Sequence, residues 1–249
     1  MENIWLLTVI VVLFSTVQSV FGVGLLVFGT PTLLLLGFPF EETIAYLLPS
    51  SVLISLMQVL EGRKDIGELR DSIFIYCVPF IVLGLALVLS DLLTFDIKLL
   101  VGVTLVFSAF ARFNEKLQES LVKVLKRHTK LYLMIMGFVH GISNMGGGLL
   151  TIFATALYDD KQRTRANIAY GYLVFAISQI LVLLLFHFDA YHIACVPLAV
   201  VALATYLTVG NFIYVKSSRA VYQQLITLFM LAYGILLITQ ETMSIYRAL

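Results

Sequence analysis

Eight apolar segments leave this chain little choice of solvent. They cover residues 3–36, 41–60, 72–90, 96–112, 131–157, 167–186, 190–212 and 220–240. Six of them are about 17–23 residues long, enough for one helical crossing of a hydrocarbon core ~30 Å thick. Hydrophobic residues fill 60% of the positions and charged residues 12%, about half the charge of a typical soluble chain, which excludes a soluble domain. A formal net charge of +1 offers no electrostatic footprint for nucleic acid. The opening stretch, Met1 to Phe14, lacks a basic leader and a small-residue cleavage site, and reads as a retained first helix. Cys77 and Cys195 stand alone in apolar surroundings as packing residues.

Two segments have an awkward length. Residues 3–36 are too many for one ordinary crossing and few for two, and 131–157 share the problem. Both carry glycines near the middle: Gly22, Gly24 and Gly29 in the first, Gly141 and Gly146 to Gly148 in the second. Charge decides how they sit. If all eight segments cross once, the 16 Lys and Arg residues divide 10 to 6 between the two sides. If the two glycine-interrupted segments fold back as V-shaped hairpins, the division is 14 to 2, with only Lys98 and Arg247 opposite the rest. Positive charge gathers on the inner side of a membrane protein, so the hairpins are favoured. Both termini then lie outside, and residues 113–130 and 158–166 inside.

Each half now holds one hairpin and three crossings, an odd number, so the halves lie inverted. Ile44-Ala45-Tyr46 and Ile168-Ala169-Tyr170 stand 124 positions apart. The same offset lays Gly22-Val23-Gly24-Leu25-Leu26 on Gly146-Gly147-Gly148-Leu149-Leu150, Ser19 on Ser143 and Asp65 on Asp189. Inverted repeats with interrupted helices at matching places mark secondary transporters. The expected fold is an all-α polytopic membrane protein of two inverted repeats, each a Gly-broken V-shaped or re-entrant helix plus three transmembrane helices. Residues 1–112 form the first repeat, 131–249 the second, and 113–130 a basic cytoplasmic connector. In the connector Leu117, Leu121, Val124 and Leu125 recur at helical spacing between lysines, as in a helix lying on the inner leaflet. A flexible basic linker is the alternative.

Unwound backbone at membrane depth must find partners for its N–H and C=O groups. A helix restarting after such a break presents free N–H groups and the positive end of its dipole. Two such starts near the midplane would hold an anion without a buried Lys or Arg. The substrate-binding candidates are therefore Gly22 and Gly24, preceded by Gln18 and Ser19, and Gly146, Gly147 and Gly148, preceded by Ser143 and Asn144. Tight helix packing is the competing reading of the glycines. Thr30 beside Pro31, Ser50 and Ser51 after Pro49, Tyr170 and Gln179 join the set, with backbone bonding, a proline kink or an interfacial position as their structural alternatives. His140 is the one titratable side chain near the breaks whose ordinary pKa suits proton coupling; a purely structural histidine is the other reading. No crossing carries Asp, Glu, Lys or Arg near its centre, which argues against a carboxylate relay. With no nucleotide-binding motif, metal cluster or nucleophile–base pair in view, no catalytic residue, metal or cofactor is expected.

The two breaks, SVFGVGLLVFGTPTLLLLG (Ser19 to Gly37) and GISNMGGGLLTIFATALY (Gly141 to Tyr158), resemble the paired signatures of the sulfite exporter TauE/SafE family. VPFIVLGLALVLSDLLTFDIKLLVGVTLVFSA (Val78 to Ala109) resembles it too, and the likeness covers essentially the whole chain. It implies a multi-pass inner-membrane transporter of small organic or sulfur-containing anions such as sulfite, sulfonates or short carboxylates, exporting in some members and importing in others. Gly22, Gly24 and Pro31 fit the first signature, and Gly146, Gly147 and Gly148 the second. The chain departs from the commoner pattern in its GVG and in Thr155, which stands where a second proline would match Pro31. The expected function is thus secondary transport of a small anion by alternating access. A channel or receptor subunit without a transport cycle is the main alternative, and a membrane enzyme the third. The lipid bilayer is the obligatory partner; a coupling proton or ion and a homo-oligomer stay open.

Overall fold

The computed structural model describes residues 4–67, 70–90, 96–216 and 219–248. The side chains of Lys216, Arg219 and Arg247, counted in the charge argument, lie outside the described residues. All regular structure among the described residues is helical: α1 (Ile4–Phe21), α2 (Leu25–Leu35), α3 (Phe40–Glu61), α4 (Arg70–Leu89), α5 (Ile97–Phe113), α6 (Glu115–Arg127), α7 (Thr129–Ser143), α8 (Gly147–Leu157), α9 (Lys161–Phe186), α10 (Cys195–Thr205), α11 (Asn211–Lys216) and α12 (Arg219–Ala248), with a short 3₁₀ turn at Phe188–Ala190. Five described helices are long and apolar enough to cross a membrane: α1, α3, α4, α9 and Cys195–Tyr214. A sixth is added if Ile97–Phe113 and Lys116–Arg127, bent by 100°, count as one span. The chain is a multi-pass membrane protein. Its outer surface agrees, with Trp5, Leu185 and Ile193 79%, 83% and 93% exposed, as side chains facing lipid are.

Both awkward segments break where the glycines stand, and in each the chain doubles back. Tyr132 in α7 donates its hydroxyl proton to the Leu149 carbonyl in α8 at 2.8 Å, and its ring stacks on Phe153 at 6.0 Å. Seventeen residues of straight helix would hold Tyr132 and Leu149 about 25 Å apart. Likewise Phe14 in α1 meets Phe28 in α2 at 5.8 Å. The connector is a helix, as its periodicity predicts. Asn114 accepts the Leu117 N–H at 3.1 Å as its N-cap, and Leu125 is buried while its lysines stay exposed.

Two elements differ from the sequence expectation. The apolar segment begins at residue 167, yet α9 starts at Lys161, because Asp160 caps it by accepting the Arg163 N–H at 2.8 Å. The 190–212 segment is interrupted: Tyr206–Gly210 form a π-helical turn between α10 and α11. Gly210 packs there on Ser19 so closely that a Cβ would overlap the serine side chain.

In the interior, α3 packs on α9, α4 on α7 and α9, α10 on α1 and α3, and α5 on α12, while α2 and α8 lie between them. The polar ends of α3 and α9 are tied together. Asn167 accepts the Gly67 N–H at 2.9 Å and donates to the Asp65 carbonyl at 2.9 Å, and Gln162 donates to Asp65 at 2.8 Å.

Candidate functional site

The first break is closed on itself. Gly22 ends α1 in the left-handed conformation, φ +74°, which a side chain would strain. Two residues on, a Cβ at Gly24 would stand 2.7 Å from the Gln18 backbone nitrogen, so the reversal needs glycine. Gln18 then serves as an internal cap. Its Oε1 accepts the N–H of Leu25, the first residue of α2, at 3.2 Å. Its Nε2 donates to Ser51 O, Ser51 Oγ and Ser55 Oγ at 3.3, 3.2 and 3.1 Å. Gln58 completes the closure by donating to the Gln18 and Ser19 carbonyls at 2.9 and 3.0 Å. The Leu25 N–H and the Gln18 and Ser19 carbonyls are thus met within α1 and α3, while Gln58 Oε1, Ser15 Oγ and Ser50 Oγ are buried there without a partner.

The second break is built differently. Its left-handed residue is Asn144, φ 61°, one of the few non-glycine types that tolerate this conformation. Asn144 Nδ2 donates to Thr30 Oγ1 on α2 at 2.8 Å. Ser143 donates to the Val139 carbonyl at 2.6 Å and accepts the Met145 N–H at 3.2 Å, which fixes the turn. Gly147 opens α8 with the Tyr172 hydroxyl directly against it; a Cβ at Gly147 would fall on that oxygen and within 2.9 Å of Val27. His140 Nε2 lies 3.1 Å from Gln179 Oε1, and its ring centre 4.4 Å from that of Phe175 and 6.4 Å from that of Tyr172.

Three side-chain atoms at this break are buried without a hydrogen-bond partner: His140 Nδ1, Asn144 Oδ1 and the Tyr172 hydroxyl. Leaving a polar group unpaired in an apolar surround costs about 1–3 kcal/mol, and three such atoms gather at this helix start. The tautomer of His140 is assigned from its neighbours. Gln179 turns its amide nitrogen to the His140 carbonyl at 3.5 Å and its oxygen to the ring, so Nε2 carries the proton and Nδ1 the lone pair.

The sequence candidates fall into two groups. Thr30, His140, Asn144, Gly147 and Gln179 converge on the second break, with Ser143 and Gly146 holding its turn. Gln18, Ser19, Gly22, Gly24 and Ser51 make the first, and Ser50 Oγ is buried nearby in α3 without a partner. Gly148 faces Ser108 and Met230 instead. Tyr170 lies outside both groups, half-buried, with Arg70 and Asp71 as its electrostatic neighbours. Sequence reasoning passed over Tyr172. Its signal was its place two helical turns before Gln179, on the same face of α9.

Interrupted helices with polar residues gathered at their breaks are a feature of many membrane transporters. Residues 7–237 match the sulfite exporter TauE/SafE family. The chain belongs to that family, one of membrane transporters and not of enzymes. No curated protein and no solved structure matches the chain.

Proposed function

We propose that this protein is a secondary transporter that moves a small sulfur-containing or organic anion (sulfite, a sulfonate or a short carboxylate) across the cell inner membrane by alternating access. The anion sits at the start of α8, between Asn144, Gly147, Tyr172 and His140. The observation that carries this reading is the set of three buried, unpartnered polar atoms at that helix start. The α8 N-terminus supplies N–H groups and dipole, Tyr172 a hydroxyl donor and Asn144 an amide that can turn either group to the ligand. His140 Nδ1 and Asn144 Oδ1 are acceptors as they stand, so a bare anion would meet two lone pairs. A proton that arrives with it, on the anion or on Nδ1, turns the His140 contact into a hydrogen bond, and the proton is the coupling ion of this proposal.

The inverted-repeat architecture is part of the proposal. Pairing α1 with α7, α2 with α8, α3 with α9, α4 with α10 and α5 with α12 exchanges the α4–α7 contact for α1–α10, and α4–α9 for α3–α10. It turns α3–α9 and α5–α12 into themselves, as a two-fold relation requires. The topology has support of its own. Arg112 and Lys161 line one cavity, yet eight simple crossings would put them on opposite sides of the membrane.

Flux in proteoliposomes tests the transport reading. Uptake of labelled sulfite should saturate, show counterflow and be driven by an acid-outside pH gradient. Unsaturable conductance would make the protein a channel, and chemical alteration of the anion would make it an enzyme.

A further inference from the structure

Three adjoining cavities lie apart from the second break. One, of about 50 Å³, is bounded by the loop of the first break at Phe21 and Val23, by α8, and by Arg112, Lys161 and Arg165. A second, of about 260 Å³, shares Arg112 and Thr151 with it and adds Gln118 and Gln224. A third, of about 210 Å³, shares Arg165 and Tyr214 and adds Gln58, Glu61 and Gln162. Three cations from two helices thus line neighbouring cavities that share wall residues, against one carboxylate among the lining residues, Glu61.

The cations are held in place rather than loose. Arg112 Nε donates to Thr227 Oγ1 at 3.1 Å and Lys161 Nζ to the Tyr214 carbonyl at 2.9 Å. The Tyr214 ring carries both Lys161, 4.3 Å from its centre, and Arg165, 3.9 Å from it. Arg165 also donates from one terminal nitrogen to the Tyr206 hydroxyl at 3.3 Å, and Tyr206 in turn donates to Glu61 at 2.5 Å. One donor is left over. Arg165 Nε is buried with no hydrogen-bond partner. Like charges four residues apart on one helix face repel each other, and an anion between them relieves that repulsion.

The position matters as much as the charge. Lys161, Arg165, Ile168, Tyr172 and Gln179 recur at three- to seven-residue intervals and follow one face of α9. Arg165 is about 10 Å of helix rise from Tyr172. Between them Ile168 closes on the first break, where a Cβ at Gly22 would come within 3.1 Å of Ile168 Cγ2. The cationic space and the Tyr172 cluster are two compartments on one helix, separated by an apolar contact.

We infer that Arg112, Lys161 and Arg165 form a second oxyanion site, which captures a small divalent oxyanion at the basic end of the protein before it passes Ile168. Several oxygens are needed to meet three cations at once, so doubly charged sulfur oxyanions bind there in preference to monocarboxylates. The order of the two sites rests on the transport reading; the capture of an oxyanion does not.

Equilibrium binding of labelled sulfite to the purified full-length protein in detergent tests it, at low and high chloride, with sulfate and acetate as competitors. The wild type should show two components, one of them weakened by salt and displaced by sulfate more than by acetate. Arg165→Gln should remove that component, with its affinity falling roughly tenfold or more, and Arg165→Lys should restore part of it. Tyr172→Phe should spare it and weaken the other. If Arg165→Gln fails to fold, Lys161→Gln and Arg112→Gln carry the test, each expected to weaken the same component. A salt-sensitive component untouched by these variants would overturn the inference, as would binding with no salt-sensitive component at all. Sulfite bound in detergent but excluded in phosphatidylglycerol nanodiscs would assign the cations to lipid phosphate and overturn it too. Loss of flux with both components intact would instead contradict the transport reading alone.

Discussion

In single residues, the second break can be tested apart from ordinary packing because three of its buried polar atoms, His140 Nδ1, Asn144 Oδ1 and the Tyr172 hydroxyl, make no hydrogen bond. Tyr172→Phe removes a hydroxyl that bonds nothing while keeping the ring that fills the core beside His140 and Phe175. Its thermal stability should therefore match or exceed the wild type, while anion affinity falls by about 1.5–3 kcal/mol, the worth of a hydrogen bond to a charged ligand. Unchanged affinity would remove Tyr172 from the site. Asn144→Gly keeps the left-handed turn and loses the amide; Asn144→Ala loses both and adds backbone strain of about 1–2 kcal/mol. Affinity should drop in both variants and stability more in the alanine one, which paired melting and binding curves resolve. The chain's sequence pointed to Asn144, His140 and Gln179 because polar residues in apolar runs stand out. It pointed to Tyr170 as a polar residue in an apolar segment and not to Tyr172, whereas the face of α9 that meets the breaks is set by the 3.6-residue turn counted from Gln179.

At the scale of elements, the two breaks share their geometry at a spacing that residue identity misses. Gly22 and Asn144 are the left-handed residues and Leu25 and Gly147 the first residues of the new helices, in both cases 122 positions apart. Matching glycine to glycine gives 124. The difference arises because the helix end needs a residue that tolerates positive φ, and glycine fills that place in one break and asparagine in the other. The chemistry of the two breaks diverges in the same way. Gln18 fills the first with its own amide, so Gln18→Leu should act as a structural lesion. It strips the Leu25 N–H of its cap and Ser51 and Ser55 of their donor, lowering stability by about 1–3 kcal/mol. Anion affinity at the Tyr172 cluster should stay within twofold. A Gln18→Leu variant that is stable but unable to bind would move the ligand to the first break. Breakage at 3–36 and 131–157, and the helical connector, were legible from length, glycine and periodicity. The π-helical turn at Tyr206–Gly210 was not, since a single inserted residue leaves an apolar run looking continuous.

Across the whole molecule, charge and membrane depth set the arrangement. Fourteen of the 16 basic residues fall on one side if α7–α8 returns to the side it came from; no Lys or Arg precedes Arg63, so the split does not depend on α1–α2. Single cysteines placed in 113–130 and in 158–166, in a background where Cys77 and Cys195 are replaced, should react with an impermeant thiol reagent from the same side; opposite labelling would restore eight simple crossings. The cationic space at Arg112, Lys161 and Arg165 was not legible in sequence, because its members lie at the ends of α5 and α9 and meet only through the fold. The central claim is that a small anion crosses by way of the α8 start. The most direct measurement is sulfite counterflow in proteoliposomes holding the wild type or Tyr172→Phe at equal, verified insertion. Saturable exchange is expected in the wild type, with a fall of roughly tenfold or more in the variant's apparent affinity, the equivalent of one lost charged hydrogen bond. Saturable exchange with the same affinity in both proteins would contradict the central claim.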